Sequence, residues 1–168
     1  MAGRESGPLI SHYRCRDASE PNARRRRAVR LYLDASVLVA LVSADPFTAR
    51  AEARLGAGTH VLVVSDFAAA EVASAIARRV RMREMIETEA RNAFALFDAL
   101  VLRVAERVVT DPSDVRAAEA ALRRLDLPLR TPDALNIAIA QRVDATLLTF
   151  DMKMAEAAQA LGLEVVAG

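Results

Sequence analysis

Four acidic residues stand in surroundings that make a carboxylate costly or unusually well placed. Asp34 interrupts the apolar run LYLDASVLVAL, Glu71 lies in SDFAAAEVASAI, Asp133 opens PDALNIA, and Asp151 closes TLLTFD. A carboxylate among apolar side chains must lie at the end of an element, meet a hydrogen-bond donor, or hold a cation. Four in one crevice would repel and drift toward protonation unless a divalent cation joined them. Mg²⁺ and Mn²⁺ prefer oxygen ligands, often keep several waters and commonly bridge carboxylates and phosphates, which suits metal-assisted phosphodiester hydrolysis. A site built on imidazole or thiolate would be hard to assemble. The chain has one cysteine, Cys15, and two histidines, His12 and His60, with no HExxH or CxxC context.

Each acid also has a simpler explanation. Asp133 could complement the positive end of its helix, Asp151 could cap a helix after a strand, and Glu71 could face solvent, although FAAAEVASAIA is small and apolar on all sides. Asp34 is the hardest to explain this way. Four coincident positions outweigh four separate explanations.

The elements that would position these acids alternate along the chain. LYLD reads as a short strand, and ASVLVALVSADP as a helix with Ser36 placed to cap it and Pro46 beyond its end. A second helix is expected from about Thr48 to Leu55, stopped by Gly56 and Gly58, and a strand over Val61 to Val64. A helix then starts at Ser65 or Asp66, and REMIETEARNAFALFDAL continues or restarts it. Val101 to Val109 is ambiguous between strand and helix. A helix near Pro112 to Leu125 follows, then a loop around Pro128 and a helix with Thr131 as N-cap and Pro132 at its first position. ATLLTFD is a strand ending at Asp151, MKMAEAAQALG a helix stopped by Gly162, and LEVV a last strand. Strands separated by helices imply an α/β fold with a mainly parallel sheet covered on both faces, whose ligands bind beyond the carboxyl ends of the strands. Asp34 and Asp151 fall at that edge.

At 168 residues and 53% hydrophobic content the chain suffices for one domain with a substantial core. No apolar run is long enough for a membrane span, and the reading is of a soluble protein in a reducing cytoplasm. Residues 1–30 hold eight Arg and three acids. Of the chain's 23 basic and 22 acidic residues this leaves 15 and 19 from residue 31 on, a balance of −4. The globular part is therefore acidic. Residues 1–29, which include most of the run ARRRRAVR at Ala23 to Arg30, lack apolar periodicity and read as an Arg-rich disordered extension before a domain over residues 30–168. Such a cluster could touch phosphates, but a solvated tail or a start site placed too far upstream is the preferred reading. It is not followed by an apolar stretch of secretory type.

LYLDASVLVAL, SDFAAAEVASAI, LRTPDALNIAIAQRVDATLLTFD and LGLEVV, in that order, resemble a PIN domain, and the compact size resembles the VapC-type toxin ribonucleases of toxin–antitoxin systems. The resemblance covers roughly Arg30 to Val166 and implies an α/β/α sandwich on a sheet of about five strands. It also implies that Asp34, Glu71, Asp133 and Asp151 hold Mg²⁺ or Mn²⁺, with Ser36 and Thr149 as supporting hydroxyls. It implies a homodimer, an RNA substrate and an antitoxin partner that covers the site. Arg78, Arg79, Arg81 and Arg83, on the helix after Glu71, are the candidates for attracting RNA, their alternative being a solvated helix surface. Asn136 stands where relatives often have His. It lies outside the acid set, and catalysis is expected to survive it. The alternatives are a PIN-like binding module without catalysis, or a phosphotransfer enzyme of the haloacid-dehalogenase type. The latter needs an Asp where this chain has Ser36.

Overall fold

The computed structural model describes residues 28–167. The expected disordered extension falls, up to residue 27, outside the described residues. Five strands, β1 (Val29–Leu33), β2 (His60–Ser65), β3 (Ala105–Val108), β4 (Thr146–Thr149) and β5 (Val165–Ala167), form one sheet in the order β3-β2-β1-β4-β5. Every pairing is parallel. The connections are helical: α1 (Ala35–Val42) and α2 (Thr48–Gly56) follow β1, α3 (Asp66–Arg81) and α4 (Glu87–Val104) follow β2. Next come α5 (Pro112–Leu122) and α6 (Thr131–Arg142) after β3, and α7 (Met152–Ala160) after β4.

Alternation along the strands divides the core between two faces. Leu31, Leu33, Leu62, Val64 and Leu148 point to the side packed by α1, α3 and α4. Tyr32, Val63 and Leu147 point to the side packed by α6 and α7. Because both faces are covered, the middles of the central strands are continuous apolar runs, Leu31 to Leu33 in β1 and Val61 to Val64 in β2, as in other parallel sheets.

Val101 to Val109 is both of the things it resembled. Helix α4 runs to Val104 and the edge strand β3 begins at Ala105, with Glu106 and Arg107 exposed and Glu106 paired to Arg30 at 2.9 Å. The break between α3 and α4 falls at Arg83, whose φ of 60° ends the first helix. The expectation for Ser36 is corrected: the N-cap of α1 is Asp34, whose side chain accepts from the Val37 N–H, and Ser36 lies inside the helix. At α6 the cap is Arg130 and Thr131 is already helical.

Beyond β1 the chain crosses to β2 and β3 on one side of the sheet, and it returns to β4 on the other. The strand order therefore reverses between β1 and β4, and a crevice opens outside their carboxyl ends. Leu33 is in register with Leu148, so Asp34, the first residue past β1, stands beside Thr149, the last residue of β4.

Candidate active site

Asp34 is 5% exposed. Its Oδ1 accepts from Ser36 Oγ (2.7 Å) and the Val37 N–H (3.2 Å), and its Oδ2 from Thr149 Oγ1 (2.9 Å). Both supporting hydroxyls expected from the sequence thus touch the first acid directly. The Thr149 hydroxyl also accepts from the Asp151 N–H at 3.0 Å, and Ser36 Oγ accepts from the Phe150 N–H at 3.0 Å. The turns after β1 and β4 are therefore stitched together by side chains.

Asp151 caps α7, its Oδ1 accepting from the N–H groups of Lys153 and Met154. Asp133, at the third position of α6, accepts from the Arg130 N–H at 3.0 Å. The helix-end explanations of these two acids are thus both correct, and each still has an oxygen turned to a further partner. That partner is the Arg130 guanidinium, which lies 3.1 Å from Asp133 Oδ2 and 3.3 Å from Asp151 Oδ2. Arg130 is absent from the sequence-derived site. An Arg three residues before Asp133, just ahead of the helix start, was the available signal.

Glu71, on the second turn of α3, is half-buried, and its Oε2 accepts from Asn136 Nδ2 at 2.6 Å. Asn136 is therefore in contact with the acid set and not outside it. Its Nδ2 also donates to the Pro132 carbonyl, and its Oδ1 accepts from the Tyr32 hydroxyl at 2.7 Å; Tyr32 in turn meets Ser65 Oγ at 2.6 Å. Because Tyr32 gives its one proton to Asn136, Ser65 Oγ, which itself accepts from the Ala68 N–H, is the donor to Tyr32, and the chain runs from Ser65 to Tyr32, to Asn136 and to Glu71. Burial pushes the Tyr32 hydroxyl pKa up, so it serves as a neutral donor. The line of donors starts in the core and ends on the Glu71 carboxylate.

The electrostatics follow from crowding. Burial raises the pKa of Asp34 above the ordinary carboxylate value, the bonds from Ser36, Val37 and Thr149 oppose the rise, and Asp151 adds to it. Glu71 is raised by burial first; Asn136 lowers it, Asp34 and Asp133 raise it, and Arg130 lowers it again. All four acids are coupled, and they carry more negative charge than one guanidinium balances.

Oxygen donors with excess negative charge fit a divalent cation. Among the described residues, however, no three acidic, His or Cys groups stand together as a ready metal cage. Arg130 bridges Asp133 and Asp151 instead, and its side chain is 74% exposed and free to move toward solvent.

The Arg candidates on α3 are placed differently. Arg79 donates to Asp45 Oδ2 at 2.6 Å and Ser43 Oγ at 3.0 Å, so it braces the loop between α1 and α2. Arg78, Arg81 and Arg83 are exposed, but they lie about two to three turns beyond Glu71 along a helix that leads away from the carboxyl edge.

This sheet order with acids at the carboxyl edge of its switch point defines a class, and comparison gives it a name. The PIN domain family profile matches residues 31–160, and the chain belongs to that family. It is 34% identical over 140 residues to Ribonuclease VapC46 of Mycobacterium tuberculosis, spanning 82% of this chain and 96% of the relative. Among solved structures it is similar to M. tuberculosis VapC20, a sarcin–ricin loop cleaving toxin (TM-score 0.64, 20% identity, 82% of this chain and 99% of that one). It is likewise similar to VapBC2 of Rickettsia felis bound to a promoter DNA fragment (TM-score 0.60, 15% identity, 83% and 98%). The haloacid-dehalogenase alternative falls with this match. No helix among the described residues is long and apolar enough to cross a membrane.

Proposed function

We propose that the protein is a metal-dependent endoribonuclease acting as the toxin of a toxin–antitoxin pair. The observation that carries this reading is the grouping of Asp34, Asp133 and Asp151, tied together by Thr149 and Arg130 at the edge where β1 and β4 end, with Glu71 held beside them by Asn136 and close enough to feel the charges of Asp34 and Asp133. The 34% identity to Ribonuclease VapC46 over most of the chain supports RNA as substrate, and the VapBC2 assembly among similar structures supports an antitoxin partner. A homodimer is the assembly we expect.

In this reading the four carboxylates hold Mg²⁺ or Mn²⁺. When bound, the ion supplies charge for the phosphoryl oxygens and lowers the pKa of attacking water. The chain's own residues do the rest. Ser36, Thr149 and the Val37 N–H fix Asp34 in one rotamer and favour its ionised form. Asn136 clamps Glu71 Oε2 and leaves Oε1 available. Arg130 bridges Asp133 and Asp151 while no other cation is present, and once it swings outward it is placed to meet a phosphate of the substrate.

The test is cleavage of RNA by the purified chain with Mn²⁺ or Mg²⁺, with excess chelator, and with Asp133→Asn in parallel. The reading expects cleavage that chelator and substitution both abolish. Cleavage by Asp133→Asn at the wild-type rate would sink it.

A further inference from the structure

Two of the chain's five phenylalanines meet at the rim of the core, Phe150 packing against it from one side. Phe47 lies in the turn between α1 and α2 and is 45% exposed; Phe150 is half-buried and sits between Thr149 and Asp151. Their rings stack with centroids 5.4 Å apart and planes 27° from parallel. The Arg50 guanidinium lies 5.8 Å from the Phe150 centroid, within cation–π range.

The backbone on both sides of the pair is braced. The Phe47 N–H donates to Asp45 Oδ1 at 3.0 Å, and Asp45 is gripped from α3 by Arg79. Thr48 Oγ1 donates to the Ala40 carbonyl at 2.7 Å and the Asp45 carbonyl at 2.9 Å, closing the same turn. On the other side the Phe150 N–H is bound by Ser36, whose hydroxyl also holds Asp34. Phe47 is left nearly half in water although the backbone that carries it is well braced, so part of its ring is open to a partner. Its placement beside the acids, with Arg50 and, one turn on, Arg54 both exposed on α2, matches what single-stranded nucleic acid presents: a flat base next to a phosphate.

We propose that Phe47, Phe150 and Arg50 form a stacking platform for one unpaired base of the RNA, adjacent to the carboxylate edge. The assignment rests on the nuclease reading and adds a requirement to it: the nucleotide next to the cleaved bond must be free of pairing, because a paired base has no exposed face to offer.

Binding of a labelled single-stranded RNA of about ten nucleotides, and of the same RNA with an abasic residue scanned along it, tests the platform in excess chelator by fluorescence anisotropy. Phe47→Leu keeps an apolar side chain against Phe150, and Phe47→Tyr keeps the ring; thermal melting checks that both fold. The expected result is a loss of roughly five- to a hundredfold for Phe47→Leu, the range of one base–aromatic stack, with recovery in Phe47→Tyr. One abasic position should cost the wild type the same factor and cost Phe47→Leu nothing more. Equal affinity of wild type and Phe47→Leu, or an equal loss at every abasic position, overturns the platform. Parallel cleavage assays with Mn²⁺ separate it from its premise. Intact cleavage with unchanged Phe47→Leu binding leaves the nuclease and removes the platform, whereas base-specific binding without any cleavage does the reverse.

Discussion

Asp114 and Asp133 begin from the same local design and end in opposite roles. Each is the third residue of a helix that carries a proline in its first turn, and each carboxylate turns back to the N-cap, at 2.8 Å from the Asp111 N–H and 3.0 Å from the Arg130 N–H. Each also faces an arginine. Asp114, 1% exposed, is gripped by Arg142 at 2.7 Å and 3.0 Å, and Arg142 is fixed further by the Val109 carbonyl. Asp133 shares an exposed guanidinium with Asp151 at longer range. One pair is closed and serves the fold. The other is open: in the proposed function a cation takes the place of its arginine beside the acids, and the freed arginine meets a phosphate.

The sharpest way to break this comparison is to neutralise both acids in turn. Asp133→Asn should lower metal-dependent RNA cleavage by about 10²-fold or more while its melting temperature stays within a few degrees of wild type. Asp114→Asn should do the opposite, costing about 2–4 kcal/mol of stability, below the fully buried value because Arg142 stays partly exposed, and retaining cleavage at low temperature. Melting curves and initial rates on the two variants decide it. A stable, active Asp114→Asn would mean the closed pair contributes little.

A second expectation concerns Asn136. Removing it in Asn136→Ala strips Glu71 of its clamp and Tyr32 of its acceptor, so cleavage should fall about 10–100-fold and Mn²⁺ affinity with it. Because Asn136 is buried, a stability loss of about 1–3 kcal/mol accompanies this. Calorimetric Mn²⁺ titration separates the two effects, since a purely structural role would leave the affinity of the folded fraction unchanged.

Third, Asp34→Asn should inactivate the protein and yet raise its melting temperature by about 2–5 °C in chelator at neutral pH. Burial holds the Asp34 pKa above its unfolded value of 3.8, so the folded state binds that proton more tightly than the unfolded chain does. Above the raised value the buried charge costs stability in full, and the cost disappears as pH falls through the raised value toward 3.8. Glu71, also raised, has the same sign. Asp66 has the reverse: burial pushes it up, but the bonds from Thr110 and Phe67 outweigh burial and lower it. Its contribution is present above the ordinary value and is lost below it. The advantage of Asp34→Asn should therefore narrow on acidification, and an advantage constant with pH would break the argument.

The smallest effect belongs to Arg130. In Arg130→Gln, Mn²⁺ should bind a few-fold more tightly at low salt, with the gain fading as salt rises, because the ion pair removed is largely exposed.

Much of this was legible from residue order alone. Alternating apolar strands and capped helices gave the parallel sheet, and Asp34, Glu71, Asp133 and Asp151 were identifiable because each is a charge at the end of an apolar element or among small apolar residues. The Ser36 cap was misassigned because Asp34, Ala35 and Ser36 in sequence offer two equivalent capping side chains, and only the approach of Phe150 and Thr149 from β4 chooses between them. The strand β3 was ambiguous because an edge strand buries little and leaves no strong period.

The sequence by itself determined which elements form and where the charges fall along them, because hydrophobic period, caps and turn residues act within a few positions of the chain. It could not reveal that Arg142 closes over Asp114, that Asn136 serves Glu71 or that Arg79 braces a loop. Those roles depend on partners 28, 65 and 34 residues away. They are decided when the sheet brings the strand ends together, because hydrogen bonds and ion pairs act only over a few ångströms and carry no trace in local sequence of what will meet them.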